Sequence, residues 1–427
     1  MNRETPEERR HHAPPWLFAI TNLPFGVSGG YASVAMPFML RNAGLDLETI
    51  AKIGALALLP SSYQLFWAPV IDLGIRRRAW LILVSILGGL CLGASLLLEL
   101  PRQLPLYEFL VVTGQLFVGL VASCNGALVS TSLPNRLHGQ AAGWVNAGNL
   151  GSAALGGGLI MSLAGQGSPH VTALALALLI ILPSFAALLI PEPPPSRERL
   201  ADHMGRMARD VWSAVKARKG WTGLLFCISP VGTAALGNLF SALGPDYGAS
   251  DQVVEWVNGY GGGFVTAAGA LISGYFIDRV DRRMAYVASG CLTAICGIGM
   301  ALAPLTPNAF IVGCLAYLLV TGLCYASFSA VVYEIVEGAG STASTLYSVF
   351  PAAGNQAIAY TLFFDGLAHK RWGTRGVLAT DAVLNLLGVV ALLVLLRLVF
   401  RDRTPRESGQ TLPLESAEPE AVKMTVP

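Results

Sequence analysis

The chain has 427 residues, of which 53% are apolar and only 13% charged, with a net charge of +2 and a mean hydropathy of +0.57. A soluble domain carries about 25% charged residues, so this composition excludes a water-soluble globule, and the near-neutral balance gives no ground for a nucleic-acid partner. The seven cysteines lie inside apolar stretches and read as small core residues, not as disulfides or metal ligands.

A hydrocarbon core about 30 Å thick needs roughly 20 apolar residues per helical crossing. After a polar N-terminal tail (1–15), runs of that size stand at 16–40, 50–72, 79–99, 107–130, 140–164 and 170–190, then at 221–244, 253–277, 284–303, 309–333, 342–366 and 377–399. They predict an all-α membrane protein with twelve transmembrane helices in two six-helix bundles, 16–190 and 221–399. The first run is too long for the apolar part of a signal peptide and is expected to remain as an anchor. The linker 191–220 begins with helix-stopping prolines, after which Leu200, Met204, Met207, Val211 and Val215 recur at helical spacing. That spacing predicts an amphipathic helix on the membrane surface. The polar segment 400–427 is expected to be a disordered tail.

Basic residues orient the chain, because lysine and arginine concentrate in cytoplasmic loops. Of 28, 22 fall on the side of the N-terminus, and only Arg41, Lys52, Arg102, Lys370, Arg371 and Arg375 fall on the other. Both termini are expected to be cytoplasmic.

The halves echo each other. "WAPVIDLGIRRRAW" places Asp72 before Arg76, Arg77 and Arg78; 206 residues later "SGYFIDRVDRR" places Asp278 before Arg282 and Arg283. "AGN" recurs at the same offset, at 147–149 and 353–355. A duplication with the substrate path between pseudo-symmetric halves is one of the standard transporter plans.

Amides are costly in hydrocarbon unless they line a cavity or find a partner. Asn22, Gln64, Gln115, Asn125, Asn146, Asn149, Asn238, Asn258, Asn355 and Gln356 sit in spans 1, 2, 4, 5, 7, 8 and 11, whereas spans 3, 6, 9 and 12 together hold one amide, Asn385. Every third helix is therefore expected to face lipid. Span 10 carries Thr321, Tyr325 and Ser329 on one face. These three, with Asn22, Gln64, Gln115, Asn146, Asn149, Asn238, Asn355 and Gln356, make the candidate substrate path; Tyr31, Tyr63, Trp67 and Tyr260 are aromatic surfaces on which a sugar could stack. The competing reading is that the amides join helices to one another.

Asp72 and Asp278 end spans 2 and 8. Each is expected to reach the N-terminus of a helix in the other half, span 11 or span 5, and to pair with arginine, closing the cytoplasmic side. The competing reading is that the arginines hold topology and the aspartates merely offset them.

"GYFIDRVDRR" resembles the loop between the second and third helices of each half in the major facilitator superfamily. Gly274, Asp278, Arg279, Arg282 and Arg283 fit its pattern, with Asp281 where glycine is usual. "LFWAPVIDLGIRRRAW" with "NLPFG" in span 1 is similar to bacterial muropeptide permeases and acetyl-CoA transporters. The resemblance implies a major facilitator fold in a bacterial inner membrane, alternating access, and a monomer with a small solute, the bilayer and protons as partners. Gln64 stands where that narrower family commonly has lysine, which weakens the case for an anionic substrate; a neutral or weakly charged sugar-containing or amphiphilic solute, such as a muropeptide, is expected.

No carboxylate appears at mid-span; Glu108, Glu255, Asp365 and Asp381 fall near outer span ends and Glu334 near an inner one. Asp365, on a span assigned to the cavity, is the proton-coupling candidate, and symport itself is implied by the resemblance. The six histidines all fall in loops or at span ends, which disfavours a membrane enzyme. No catalytic group, cofactor or metal site is expected. The alternative is a transporter-like sensor that binds solute without moving it.

Overall fold

The computed structural model describes residues 13–45, 47–67, 70–71, 75–165, 168–192, 209, 212–213, 215–258, 260–337 and 343–400. Asp72, the expected tail beyond 400, and Leu200, Met204, Met207 and Val211 of the expected surface helix lie outside them.

Helix is the only regular structure among the described residues. In chain order these are α1 (Leu17–Asn42, with a π-helical stretch at Tyr31–Ala35), α2 (Leu47–Ser62), α3 (Arg77–Ser95), α4 (Leu104–Ser132), α5 (His138–Gly165) and α6 (Pro169–Ser184). The second half holds α7 (Arg218–Ile228), α8 (Gln252–Ile277), α9 (Arg282–Leu302), α10 (Pro307–Val336) and α11 (Ala343–Phe400). Nine of the described helices are long and apolar enough to cross a membrane.

Two predicted spans are interrupted. α2 stops at Ser62 and resumes as a short helix at Gln64–Trp67. α7 ends at Ile228, where Pro230 disfavours a helical conformation at Ser229 and has no N–H to continue the ladder. The chain then runs irregularly through Gly232 and Ala234, both at positive φ, before 3₁₀ and helical turns resume at Ala235.

The last two predicted spans form one bent helix. Its break is Gly373, at φ 64° and ψ −158°, a conformation open to a residue without Cβ. The arm beyond the bend packs on α9, with Gly297 beside Ala382 and Gly290 beside Val389, so it runs back toward the end of the molecule that holds the arginines.

Within the first half α5 packs on α1 and α3 on α4 and α6; in the second, α8 packs on α10 and α9 on α10 and α11. The bundles meet through α5 against α8 and α10, and through α4 and α2 against α11. The helices expected to face lipid thus pack chiefly inside their own bundle. Of the repeated "AGN" words, the first sets Gly148 tightly against the backbone of Ala19 in α1, whereas Gly354 of the second meets the Phe328 ring of α10 first and the Cys227 carbonyl of α7 only at 3.9 Å.

Candidate functional site

At the basic end, α8 ends on Asp278, whose carboxylate accepts the Gly139 amide at 2.8 Å and the Gln140 amide at 2.9 Å. These are first-turn donors of α5, unsatisfied within the helix and at its positive pole. Arg282 closes on Asp278 at 3.3 Å and on Glu334 at 3.6 Å, Arg283 reaches Glu334 at 3.0 Å, and Arg282 also donates to the side chain and carbonyl of Asn135 in the first half. Asn135 in turn donates to Glu337 at 2.7 Å. Burial raises the Asp278 carboxyl above the ordinary carboxylate value, opposed by the amides of Gln140 and Gly139 and by Arg282.

Just inside this network the halves touch backbone to backbone. A Cβ on Gly143 would lie 2.8 Å from the Gly274 Cα, so only glycine lets α5 and α8 approach this closely. Asp281, the departure from the superfamily pattern, caps α9: its carboxylate accepts the amides of Arg283 and Met284, each at 3.0 Å.

The first-half counterpart differs. Glu192, beyond α6, accepts the amides of Arg77 at 2.9 Å and Arg78 at 3.2 Å, capping α3, and Arg78 donates to the Ile190 carbonyl at 3.4 Å. Arg76 is half-buried, and Arg279 is exposed.

A third layer spans the seam. Asn146 donates to Ser329 at 2.8 Å and to the Tyr325 carbonyl at 3.3 Å, joining α5 to α10. Ser123 and Ser348 meet at 2.8 Å, joining α4 to α11. Seven residues bring a helix back to within about 20° of the same face, so Asn355 continues the Ser348 face away from the basic end. Asn149 and Tyr325 continue the Asn146 and Ser329 faces in the same direction, and all three are half-buried.

Several other amides of the spans, most of them predicted wall residues, are committed inside one bundle. Asn22 donates to the Val145 carbonyl at 3.3 Å, Gln115 to the Ser28 carbonyl at 3.2 Å, and Asn125 to the Phe18 carbonyl at 3.1 Å while accepting from Thr21 at 2.7 Å. Gln64 donates to the Gly119 carbonyl at 3.0 Å and to Ser123, directly behind the seam contact. These amides join helices, because a buried amide without a partner costs more than the contact it makes. Tyr31 is fully buried, its hydroxyl 3.1 Å from that of Tyr107, so it offers no stacking face to a solute. Tyr63 is 52% exposed, and the Trp67 indole donates to the Pro60 carbonyl at 3.0 Å. Thr321 is buried and donates to the Tyr317 carbonyl at 3.0 Å. Asn238 bonds to the Ala235 carbonyl at 3.3 Å beside the α7 break. Gln356 is exposed, a quarter turn from Asn355, and the side chain of Tyr260 lies outside the described ones.

Sequence reasoning missed two things. Asn135 enters the network at a position only the helix start at Pro134 could have suggested. Asp365 and Asp381 are not at span ends: both are fully buried in the two arms of α11, and Asp381 accepts the Tyr317 hydroxyl at 3.2 Å.

The family model described as Major Facilitator Superfamily matches residues 18–350 and 222–424. The human organic anion transporter MFSD10 (TETRAN) is similar in structure at TM-score 0.68 and 14% identity, covering 91% of this chain and 100% of that one. The proton:xylose symporter XylE bound to 6-bromo-6-deoxy-D-glucose gives TM-score 0.65 and 12% identity, over 89% of this chain and 95% of that one. FucP in the outward conformation gives TM-score 0.68 and 12% identity, over 89% and 98%. At these identities the likeness is one of fold.

Proposed function

The chain belongs to the major facilitator superfamily, and from that premise we propose that it is a secondary transporter, not an enzyme, carrying a small organic solute across the membrane by alternating access. The observation that carries this reading is the layered seam. One end is sealed by breakable polar contacts, Asp278 on the α5 terminus first, while Asn149, Tyr325 and Asn355 continue the seam faces beyond the seal. A transporter needs such a seal to form and break in turn; a static scaffold gains nothing from placing charges there.

In this reading the chain crosses the membrane twelve times, with α2 and α7 as interrupted crossings and the arms of α11 as the last two. The arginine-rich end and both termini are cytoplasmic, in a bacterial inner membrane, and the protein acts as a monomer. Asp278, Arg282 and Arg283, with Gly274 as the packing point, form the cytoplasmic gate, and Asp72 with Arg76, Arg77 and Arg78 is its proposed first-half counterpart. The solute is sugar-containing or amphiphilic, of the muropeptide type, and neutral or weakly charged: Asn149, Tyr325 and Asn355, the seam residues beyond the seal, carry no basic group, and Gln64 is engaged by Gly119 and Ser123. Coupling is to protons through Asp365.

Liposome flux tests the reading. Purified protein should exchange labelled sugar-containing amphiphiles, and Asp278→Ala should reduce exchange without abolishing binding measured by thermal shift. Binding without flux in the native chain would identify a sensor instead.

A further inference from the structure

Because α11 turns back at Gly373, Asp365 and Asp381 stand eight residues before and eight after the bend. At 1.5 Å per residue both lie about 12 Å from it, at one depth.

Their surroundings are unequal. Asp381 accepts the Tyr317 hydroxyl on both oxygens, at 3.3 and 3.2 Å, and the Asn385 amide at 3.4 Å. Asp365 is fully buried, and neither of its oxygens has a hydrogen-bond partner among the described residues. One turn earlier on the same face, the Thr361 hydroxyl is also buried and without a partner. Asp381 and Tyr317 are near enough to interact electrostatically with Asp365, while only Asp381 takes the Tyr317 hydroxyl.

Among the described residues, the groups placed nearest the pair carry no positive charge. Tyr325 lies near Tyr317, Cys314 and Cys296 share the apolar cluster that holds Tyr317, and the Leu236 amide, just past the α7 break, donates to Asp381. Arg375 lies by Tyr247 and Asp246, close to the bend, where Asp246 is taken by the Thr374 hydroxyl. His369, one turn from Asp365, is exposed. A bare, buried carboxylate without a hydrogen-bond donor is strongly unfavourable, so Asp365 calls for a cationic ligand. A proton needs only one oxygen, whereas a metal cation needs several converging on it.

Asp381 also has an outlet. Asn385, which donates to it, accepts the Gly232 amide at 2.7 Å in the middle of the α7 break, and Tyr286 donates to the neighbouring Val231 carbonyl at 2.7 Å. The unwound stretch of α7 is thereby fastened to the arm that carries Asp381.

We propose that Asp365 and Asp381 form a buried proton-binding pair, with the exchangeable proton on Asp365, and that its occupancy is relayed through Asp381 and Asn385 to the broken seventh helix. Loading transfers a proton from hydronium to an Asp365 oxygen, forming one O–H bond and leaving water; unloading returns it to water. An empty site leaves two like charges facing each other, and Asp381 then holds its Tyr317 and Asn385 donors more tightly. The inference deepens the transport reading and rests on it for the purpose of the coupling, not for the existence of the site.

Infrared difference spectroscopy on the full chain in phospholipid vesicles tests it without any solute, so its outcome is independent of whether transport is found. The native chain should show a carboxylic-acid C=O band that disappears on alkalinisation, and Asp365→Asn should remove that band. Where Asp365→Asn does not fold, Asp365→Glu should keep the band at a shifted frequency. Hydrogen exchange of residues 229–239 should change across the same pH interval in the native chain and lose that change in Asn385→Ala. A native chain without an alkali-sensitive acid band, or one whose band survives Asp365→Asn, overturns the proposal. Loss of the band on adding sodium at constant acidic pH overturns it in favour of a metal-cation site.

Discussion

Asp278 takes the amide of Gly139 at 2.8 Å across the boundary between the bundles, so the end of α8 in one half caps the first turn of α5 in the other. Removing the carboxylate strands two amides, and an unpaired buried donor costs about 1–3 kcal/mol. Asp278→Ala should therefore favour the state in which this end is open by roughly tenfold or more, since 1.4 kcal/mol is about a factor of ten. In a cysteine-free background, a cysteine at Asn149 should be labelled faster from the arginine-rich side in the variant. Equal labelling rates would show that Asp278 does not hold the seal.

The Gly143 and Gly274 contact leaves no room for a side chain. Gly274→Val should cost about 1–3 kcal/mol through overpacking, seen as a lower unfolding temperature in detergent together with loss of flux. Gly299, with nothing within 4 Å of its notional Cβ, is the control: Gly299→Ala should keep flux and leave the unfolding temperature the same or slightly higher, since alanine favours the helix.

Asn146 and Ser329 join the halves at 2.8 Å. A double-mutant cycle with Asn146→Ala and Ser329→Ala should return a coupling of about 0.6 kcal/mol, the usual size for such bonds between membrane helices. Additive effects would mean that the contact does not form in the detergent-solubilised ground state.

Asp281 stands where the superfamily pattern has glycine, and it caps α9. Replacing it by alanine should cost about 1 kcal/mol and by glycine only a few tenths. Neither change should alter labelling at position 149, because the cap lies within the second half. The two unfolding temperatures, compared with the native one, test the ordering.

Much of this was legible in the sequence. Hydropathy delivered the helices, because lipid exposure leaves a direct compositional trace. Which amides line the seam left no such trace: Asn22 and Asn146 look alike in sequence, and only packing decides that the first meets a carbonyl in its own bundle and the second crosses to the other. The deep position of Asp365 was hidden for another reason. The polar stretch from His369 to Arg375 reads as a loop, yet the helix runs through it to Gly373 and carries the acid inward. A hydropathy window ends where charges appear, but a helix ends where its backbone ladder stops. The interruption of α7 had its cause in plain view at Pro230, although the span around it reads as unbroken.

Where Gly143 meets Gly274 there are no interlocking side chains, so one bundle can turn upon the other there like a journal in a plain bearing, with no teeth to disengage. Resistance to that rotation is then concentrated in the neighbouring charges, Asp278, Arg282 and Glu334, which sit beside the bearing and not in it.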